Sequence, residues 1–278
     1  MKVKTILLQK VPFSQCAGLF SFTLEEQCDM ASVIKQYKDV LSGDYLCKFL
    51  NAYLKKCAVY DDDLMGLSFE TECSFPSHEY ACFEYENRIL RIQSSPHMVS
   101  SGTTGGYIWD AGVAMADHII LNAPGIVKGR NVVELGSGTG LVGIVASVFG
   151  NAHSVCLTDL AGVLQRFAEP NAQSYDNITC REFDWRYPEA FDFGEFDVLL
   201  ASDVLYDPEI VPVLVKVLEK AREGGVDCYI AQRIRNPDTF KLFLNSFPKN
   251  IDIIDMPEQG SHFFYSNPAR DIKLIHLL

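Results

Sequence analysis

Apolar and polar positions follow two different rhythms along this chain. From about residue 130 onward, short apolar runs alternate with longer stretches whose apolar residues recur at helical spacing. Arg130-Asn131-Val132-Val133-Glu134-Leu135 reads as a buried strand, followed by a glycine-rich turn and a helix through about Phe149. Residues 154–158 predict a second strand and 160–172 a helix. Further strands are expected at 177–182, 196–201 and 226–232, with helices at 208–222, where a Pro lies near the first turn, and at 237–247. Residues 251–256 and 271–277 look like a last pair of strands with no helix between them, which suggests a terminal hairpin. Strands alternating with helices of this length imply parallel βαβ units with helices on both faces. The expected class is α/β.

The first 95 residues have another texture. Residues 24–40 and 44–57 carry apolar positions at helical spacing and predict two amphipathic helices. Asp61-Asp62-Asp63 reads as a solvated turn, and 80–93 as a short hairpin around Glu86-Asn87. Residues 94–106, rich in Ser, Thr and Gly, mark a loop. The organisation expected is therefore a mainly helical N-terminal appendage with a short β-hairpin over 1–95, and one larger domain over 96–278.

Composition narrows the class. At 278 residues, with 48% hydrophobic and 22% charged positions, the chain can bury a sizeable core and is neither disordered, collagenous nor a coiled coil. No apolar run approaches the ~18–20 residues that span a bilayer. The N-terminus starts basic, but its apolar stretch is too short for a secretory segment, so a cytoplasmic protein is expected with no membrane partner. Nine cysteines, at 16, 28, 47, 57, 73, 82, 156, 180 and 228, form no CxxC pair, so neither a disulfide framework nor a metal site is predicted. The net charge is −12, with 10 Lys+Arg against 13 Asp+Glu over 1–95 and 14 against 23 over 96–278. Such a balance disfavours direct nucleic-acid binding and favours a cationic partner.

Five segments carry candidate chemistry. Glycines 136, 138 and 140 stand between a strand and a helix in Glu134-Leu135-Gly136-Ser137-Gly138-Thr139-Gly140, where a ligand can approach the backbone. The spacing is not that of a dinucleotide site, no phosphate-binding Lys follows, and Glu134 would suit an amino-bearing ligand better than a pyrophosphate. Alone, such a turn is as often purely structural. Asp159, at the end of the second strand, can accept both ribose hydroxyls of a nucleoside or cap the next helix; behind the glycine turn the ribose is favoured. Asp184-Trp185, after the third strand, can hold an adenine, the carboxylate on its amine and the indole on its ring; the alternative is that Trp185 is core. Ala201-Ser202-Asp203-Val204-Leu205-Tyr206 leaves the fourth strand at the edge where ligands lie, with Asp203 and Tyr206 able to share one pocket; otherwise Asp203 caps a helix and Tyr206 packs. Gly102-Thr103-Thr104-Gly105-Gly106-Tyr107-Ile108-Trp109 enters a helix that runs through about Leu121, and Trp109 can close over a cofactor or simply pack.

Together the five resemble one family. Their order and spacing are similar to the seven-β-strand, Rossmann-like methyltransferases that use S-adenosylmethionine (SAM). More narrowly, Trp109, the Glu134–Gly140 turn, Asp184-Trp185 and Asp203-Val204-Leu205-Tyr206 resemble the family-16 protein lysine methyltransferases. Within that family, Thr103-Thr104-Gly105, the Ala201–Tyr206 segment and Arg235-Asn236-Pro237-Asp238-Thr239-Phe240 are similar to the elongation factor 2 lysine methyltransferases. The resemblance covers about 96–278 and is only architectural before that. It implies a seven-stranded methyltransferase sheet, SAM as cofactor, and a protein substrate, elongation factor 2. It also implies SAM contacts from Trp109, Gly136, Ser137, Gly138, Asp159, Trp185 and Ser202, beside which Glu134 and Asp184 stand as read above. Asp203 and Tyr206 match the substrate-side motif and are the catalytic candidates. Two positions depart from the pattern: Asp110 follows Trp109 where many relatives carry Pro or another residue, and Ser202 replaces the small apolar residue common before the motif Asp.

The motif is not Asp-Pro-Pro-Tyr or Asn-Pro-Pro-Tyr, as methylation of exocyclic base amines would call for. A small-molecule methyltransferase and a noncatalytic SAM-fold scaffold are the competing readings, and a nicotinamide oxidoreductase is the weakest. For residues 1–95, substrate recognition is the expected role.

Overall fold

The computed structural model describes residues 17–37, 43–54, 80–85, 88–95, 98–99, 102–247, 251–256 and 271–277, and positions 3, 6, 7, 9, 41, 56 and 57. The predicted Asp61-Asp62-Asp63 turn lies outside them. The chain divides into two compact units, one built on the described residues up to Gln93 and one on those from Ser94 onward.

In the first unit, α1 (Leu24–Gln36) starts at Thr23, whose Oγ1 accepts the Glu26 N–H at 3.3 Å. Glu26 reaches back in turn: its carboxylate accepts the N–H groups of Ser21 (2.9 Å) and Phe22 (3.1 Å). This is reciprocal capping of donors that no helical carbonyl can serve. Tyr53, on α2 (Gly43–Leu54), donates its hydroxyl to Glu26 at 2.6 Å and so ties the second helix to the start of the first. Met30, Ile34, Leu46, Phe49 and Leu50 are buried together beside this link. Strands β1 (Tyr80–Tyr85) and β2 (Arg88–Gln93) pair antiparallel with Tyr85 opposite Arg88, the hairpin the sequence predicts.

The second unit is a seven-stranded mixed sheet with helices on both faces. In chain order it runs α3 (Asp110–Ile126), β3 (Asn131–Leu135), α4 (Leu141–Val148), β4 (Ser154–Asp159), a helical run α5 (161–172), β5 (Ile178–Glu182), β6 (Val198–Ser202), α6 (Val211–Glu223), β7 (Asp227–Arg233), α7 (Pro237–Ser246), β8 (Ile251–Asp255) and β9 (Ile272–Leu277). Side chains alternate across a strand, so successive β3 residues serve opposite layers. Val133 and Leu135 join Leu214 and Leu218 of α6 in one buried cluster. Glu134, pointing the other way, meets Gly143 of α4. Strands covered on both sides are apolar throughout, which is why their runs stand out in the sequence.

Strand order is β5-β4-β3-β6-β7-β9-β8. The chain works outward from β3 to β5 and then crosses back to β6, so the loops after β3 and β6 leave in opposite directions and open a crevice. β9 runs antiparallel between β7 and β8, so the expected terminal pair forms with its later strand inserted. β8 is left at the edge, with Ile253 and Ile254 exposed.

Several helices differ in detail from the sequence pattern. α6 starts at Val211 because Asp207 Oδ1 accepts the Glu209 N–H at 2.9 Å, spending that donor on a turn, and the proline of its first turn is Pro212. α3 continues past Pro124 by kinking at Asn122 (φ −123°). The middle of α5, Leu164–Ala168, is π-helical. All six described cysteines with placed side chains are free thiols. Among the described residues, no helix is long and apolar enough to cross a membrane.

Candidate functional site

The carboxyl ends of β3, β4 and β6 open on a cavity of about 470 Å³. One wall is the turn after β3. Gly138 has φ +54°, and a Cβ on it would stand 2.6 Å from the Gly105 carbonyl oxygen, so only glycine lets the 102–106 loop lie on this turn. At Gly136 (φ +60°) a Cβ would meet the Trp185 ring at 3.1 Å. The Ser137 N–H donates to Thr158 at 2.9 Å and fixes the turn to β4. Ser137 lines the cavity, and its Oγ is buried and without a protein partner.

Asp159 closes this wall. Its Oδ2 accepts the Gly138 N–H (2.9 Å) and its Oδ1 the Leu160 N–H (2.7 Å), leaving lone pairs on both oxygens toward the cavity. The following helix is capped at Leu160, so capping is not the role of Asp159. Burial pushes its carboxyl above the ordinary value, and the two N–H donors pull it part of the way back. Glu134 is almost fully enclosed, with Oε2 accepting the Gly143 N–H at 2.8 Å. Burial, opposed by that hydrogen bond and reinforced by Asp159, pushes it up to about 8. At pH 7 it is therefore mostly a neutral carboxylic acid, not the anion its place before the glycines suggests.

The opposite wall follows β6. Ser202 Oγ lies 3.3 Å from where a Cβ on Gly112 of α3 would stand, so the glycine makes room for the hydroxyl. Asp203 has φ +55°, a left-handed conformation that Asp tolerates better than most residues, and its side chain is 2% exposed. Tyr206 is 60% exposed. Partial burial and the Asp159 and Asp207 carboxylates hold its phenol above the ordinary value. Trp109 donates Nε1–H to the Thr104 carbonyl at 3.2 Å, and Asp110 beside it meets Arg233 at 3.6 Å. Trp185 both lines the cavity and packs on the main core. Asp184 is paired with Arg186, which holds its carboxyl below the usual range. Trp109, Glu134, Gly136, Ser137, Gly138, Asp159, Asp184, Trp185, Ser202, Asp203 and Tyr206 all line this one cavity.

Residues 85–250 match a family described as lysine methyltransferase. The chain belongs to the lysine methyltransferase family. It is 34% identical over 235 residues to the protein-lysine N-methyltransferase EEF2KMT of Mus musculus, a match covering 75% of this chain and 70% of that protein. To EEF2KMT of Homo sapiens it is 34% identical over 175 residues, covering 55% of this chain and 53% of the human protein, so the match spans about half of that relative's length. It is also 30% identical over 162 residues to the protein N-lysine methyltransferase METTL21A of Mus musculus, covering 56% and 71%.

Around Asp203, this lysine methyltransferase carries residues that the sequence reading did not assign to the site. Arg235 makes a two-pronged pair with the carboxylate, Nη1 to Oδ1 at 2.7 Å and Nη2 to Oδ2 at 2.8 Å. Gln232 donates Nε2–H to Oδ1 at 3.2 Å while its own Oε1 accepts the Leu205 N–H at 2.9 Å. The register of β6 on β7, Ser202 opposite Ala231, brings these groups together across 29 and 32 positions of sequence. The local signals are a Gln at the end of the apolar Tyr229-Ile230-Ala231 run, which the structure buries, and the Arg235–Phe240 segment of the resemblance.

Proposed function

We propose that this protein is a SAM-dependent protein-lysine N-methyltransferase that acts in the cytoplasm on a lysine of elongation factor 2. The observation that carries the reading is the pairing within one cavity of a main-chain cradle after β3 with Asp203 and Tyr206 across from it. The relatives named EEF2KMT support the choice of substrate.

The cradle fits the cofactor. The turn admits no Cβ at Gly138, Ser137 offers a buried hydroxyl in need of a partner, and Asp159 keeps lone pairs for ribose hydroxyls. Trp185 and Asp184 would flank the adenine, and Trp109 and Ser202 would close the wall. When bound, SAM supplies an electrophilic methyl group on a sulfonium whose sulfur leaves as a neutral thioether.

This chain's own work is to align a lysine amine and keep it unprotonated. A free lysine, with a pKa of about 10.4, is almost all ammonium at pH 7. Entry into a cavity that excludes water lowers that value. Asp203 holds and orients the amine through its remaining Oδ2 lone pair, and Tyr206, at the mouth, forms the wall of the lysine channel. Alignment of amine and methyl at near-attack distance supplies most of the rate. Residues 1–95 would recognise the protein substrate, and a deletion of 1–93 that still labels elongation factor 2 normally would remove that assignment. The whole reading is tested by radiolabel transfer from SAM in a cytosolic extract: one labelled band at elongation factor 2 is expected. Label confined to small molecules would replace the protein substrate with a metabolite.

A further inference from the structure

We propose that Arg235 is a positioning residue of the transfer reaction: it clamps the Asp203 carboxylate and offsets its charge, so that the incoming amine gains an acceptor without meeting a bare anion. The proposal rests on the lysine methyltransferase reading above and assigns a task to a residue outside the cavity wall.

A carboxylate beside a lysine channel poses an electrostatic conflict. As an acceptor it orients the amine, but as an anion it favours the ammonium, which cannot attack a methyl group. The geometry around Asp203 resolves that conflict. Oδ1 is saturated by Arg235 Nη1, Gln232 Nε2 and the Arg233 N–H (3.2 Å), whereas Oδ2 accepts only Arg235 Nη2 and has capacity left. Arg235 does not line the cavity; it touches two residues that do, Asp203 by the two-pronged pair and Trp109 by its ring, and its only ion pair there among the described residues is with Asp203. Its guanidinium is held from a second side by the Trp109 ring, 4.9 Å away, and Trp109 is anchored on Thr104. The other titratable and charged groups around the cavity have their own places. Arg233 of β7 faces Asp110 of α3, Glu134 and Asp159 stand on the opposite wall, and Asp207 follows Tyr206. Arg235 is thus the cation committed to Asp203, with the planar fork that a carboxylate matches best.

The test compares wild type with Arg235→Gln and Arg235→Lys in full-length protein. The pH dependence of kcat and the Kd for SAM are measured together. The acceptor is elongation factor 2 first, and otherwise whichever protein the wild type labels in a cytosolic extract. Removing the positive charge should move the acid limb of the Gln variant up by about one pH unit and slow it about tenfold near neutrality. The gap should narrow as pH rises, because a neutral amine no longer depends on the offset charge. The Lys variant keeps the charge and loses the fork, so its acid limb should stay near that of wild type while its plateau falls a few-fold. SAM affinity should stay within about twofold for both. A Gln variant that matches wild type at every pH, is slowed equally at every pH, or loses SAM binding in parallel would overturn the proposal. Label in another protein but not in elongation factor 2 would remove that substrate and leave the Arg235 comparison intact. No label in any protein would overturn both.

Discussion

The two walls of the cavity are held by different parts of the chain. On the glycine side the anchors are main-chain donors: Ser137 N–H on Thr158, Gly138 and Leu160 N–H on Asp159, and Gly143 N–H on Glu134. On the Asp203 side they are chiefly side chains, Arg235 and Gln232 on Asp203 and Arg233 beside Asp110. A wall fastened through main-chain N–H groups keeps its shape when most side chains are exchanged, unless the exchange removes an acceptor, Asp159 or Glu134, or adds an atom where the backbone passes. A wall built from side chains passes each exchange on to its neighbours. Substitutions on the glycine side should therefore act on cofactor affinity, and those on the Asp203 side on the rate and its pH dependence.

The largest effect expected on cofactor affinity is at Gly138. Alanine there must hold φ +54° and place a Cβ 2.6 Å from Gly105, a combined strain of roughly 2–4 kcal/mol. SAM affinity should fall about a hundredfold. Titration giving wild-type affinity would mean that the turn is not the cofactor's cradle. Next comes Arg235→Gln on the other wall, about tenfold in rate near neutrality with the cofactor still bound.

Glu134 gives a pH-dependent contrast. Its folded-state value is raised to about 8 from an ordinary 4.5, so the protonated acid is the form that suits the fold. The associated stability is complete below about 4.5 and is lost as pH rises through about 8. Glu134→Gln carries no such titration. Urea unfolding across that range should show wild type losing stability relative to the variant, and parallel curves would contradict the assigned protonation. The smallest effect is at Ser137→Ala. Removing a buried hydroxyl that has no protein partner should leave the unliganded protein as stable or slightly more so, yet weaken SAM binding about fivefold, roughly one hydrogen bond. Equal affinities would remove Ser137 from the contact set.

The same difference decides what a reader of the sequence can see. The glycine wall is a local device: a strand, three glycines at alternate positions, a helix, and Asp159 at the end of the next strand all lie within 29 residues. Its parts announce themselves because each backbone requirement selects a residue type. The Asp203–Arg235 pair spans 32 positions and exists only because β6 lies beside β7 with Ser202 opposite Ala231. Nothing in the spacing of Asp203 and Arg235 states that register. The insertion of β9 between β7 and β8 is hidden for the same reason, since hydrophobic alternation identifies a strand without naming its neighbour. Glu134 was legible as a site position, but its charge state depends on how completely α4 encloses it.

Asp203 offers the most direct test of the account. Asparagine suits its φ of +55° better than alanine does, so Asp203→Asn changes the chemistry of the carboxylate with little backbone penalty. SAM titration and radiolabel transfer to elongation factor 2 are measured on the same preparation of wild type and variant. The account predicts a SAM Kd within about threefold of wild type and transfer reduced at least about a hundredfold, because the acceptor is no longer aligned. Transfer and cofactor affinity falling together would contradict the division of the cavity into two walls with separate tasks.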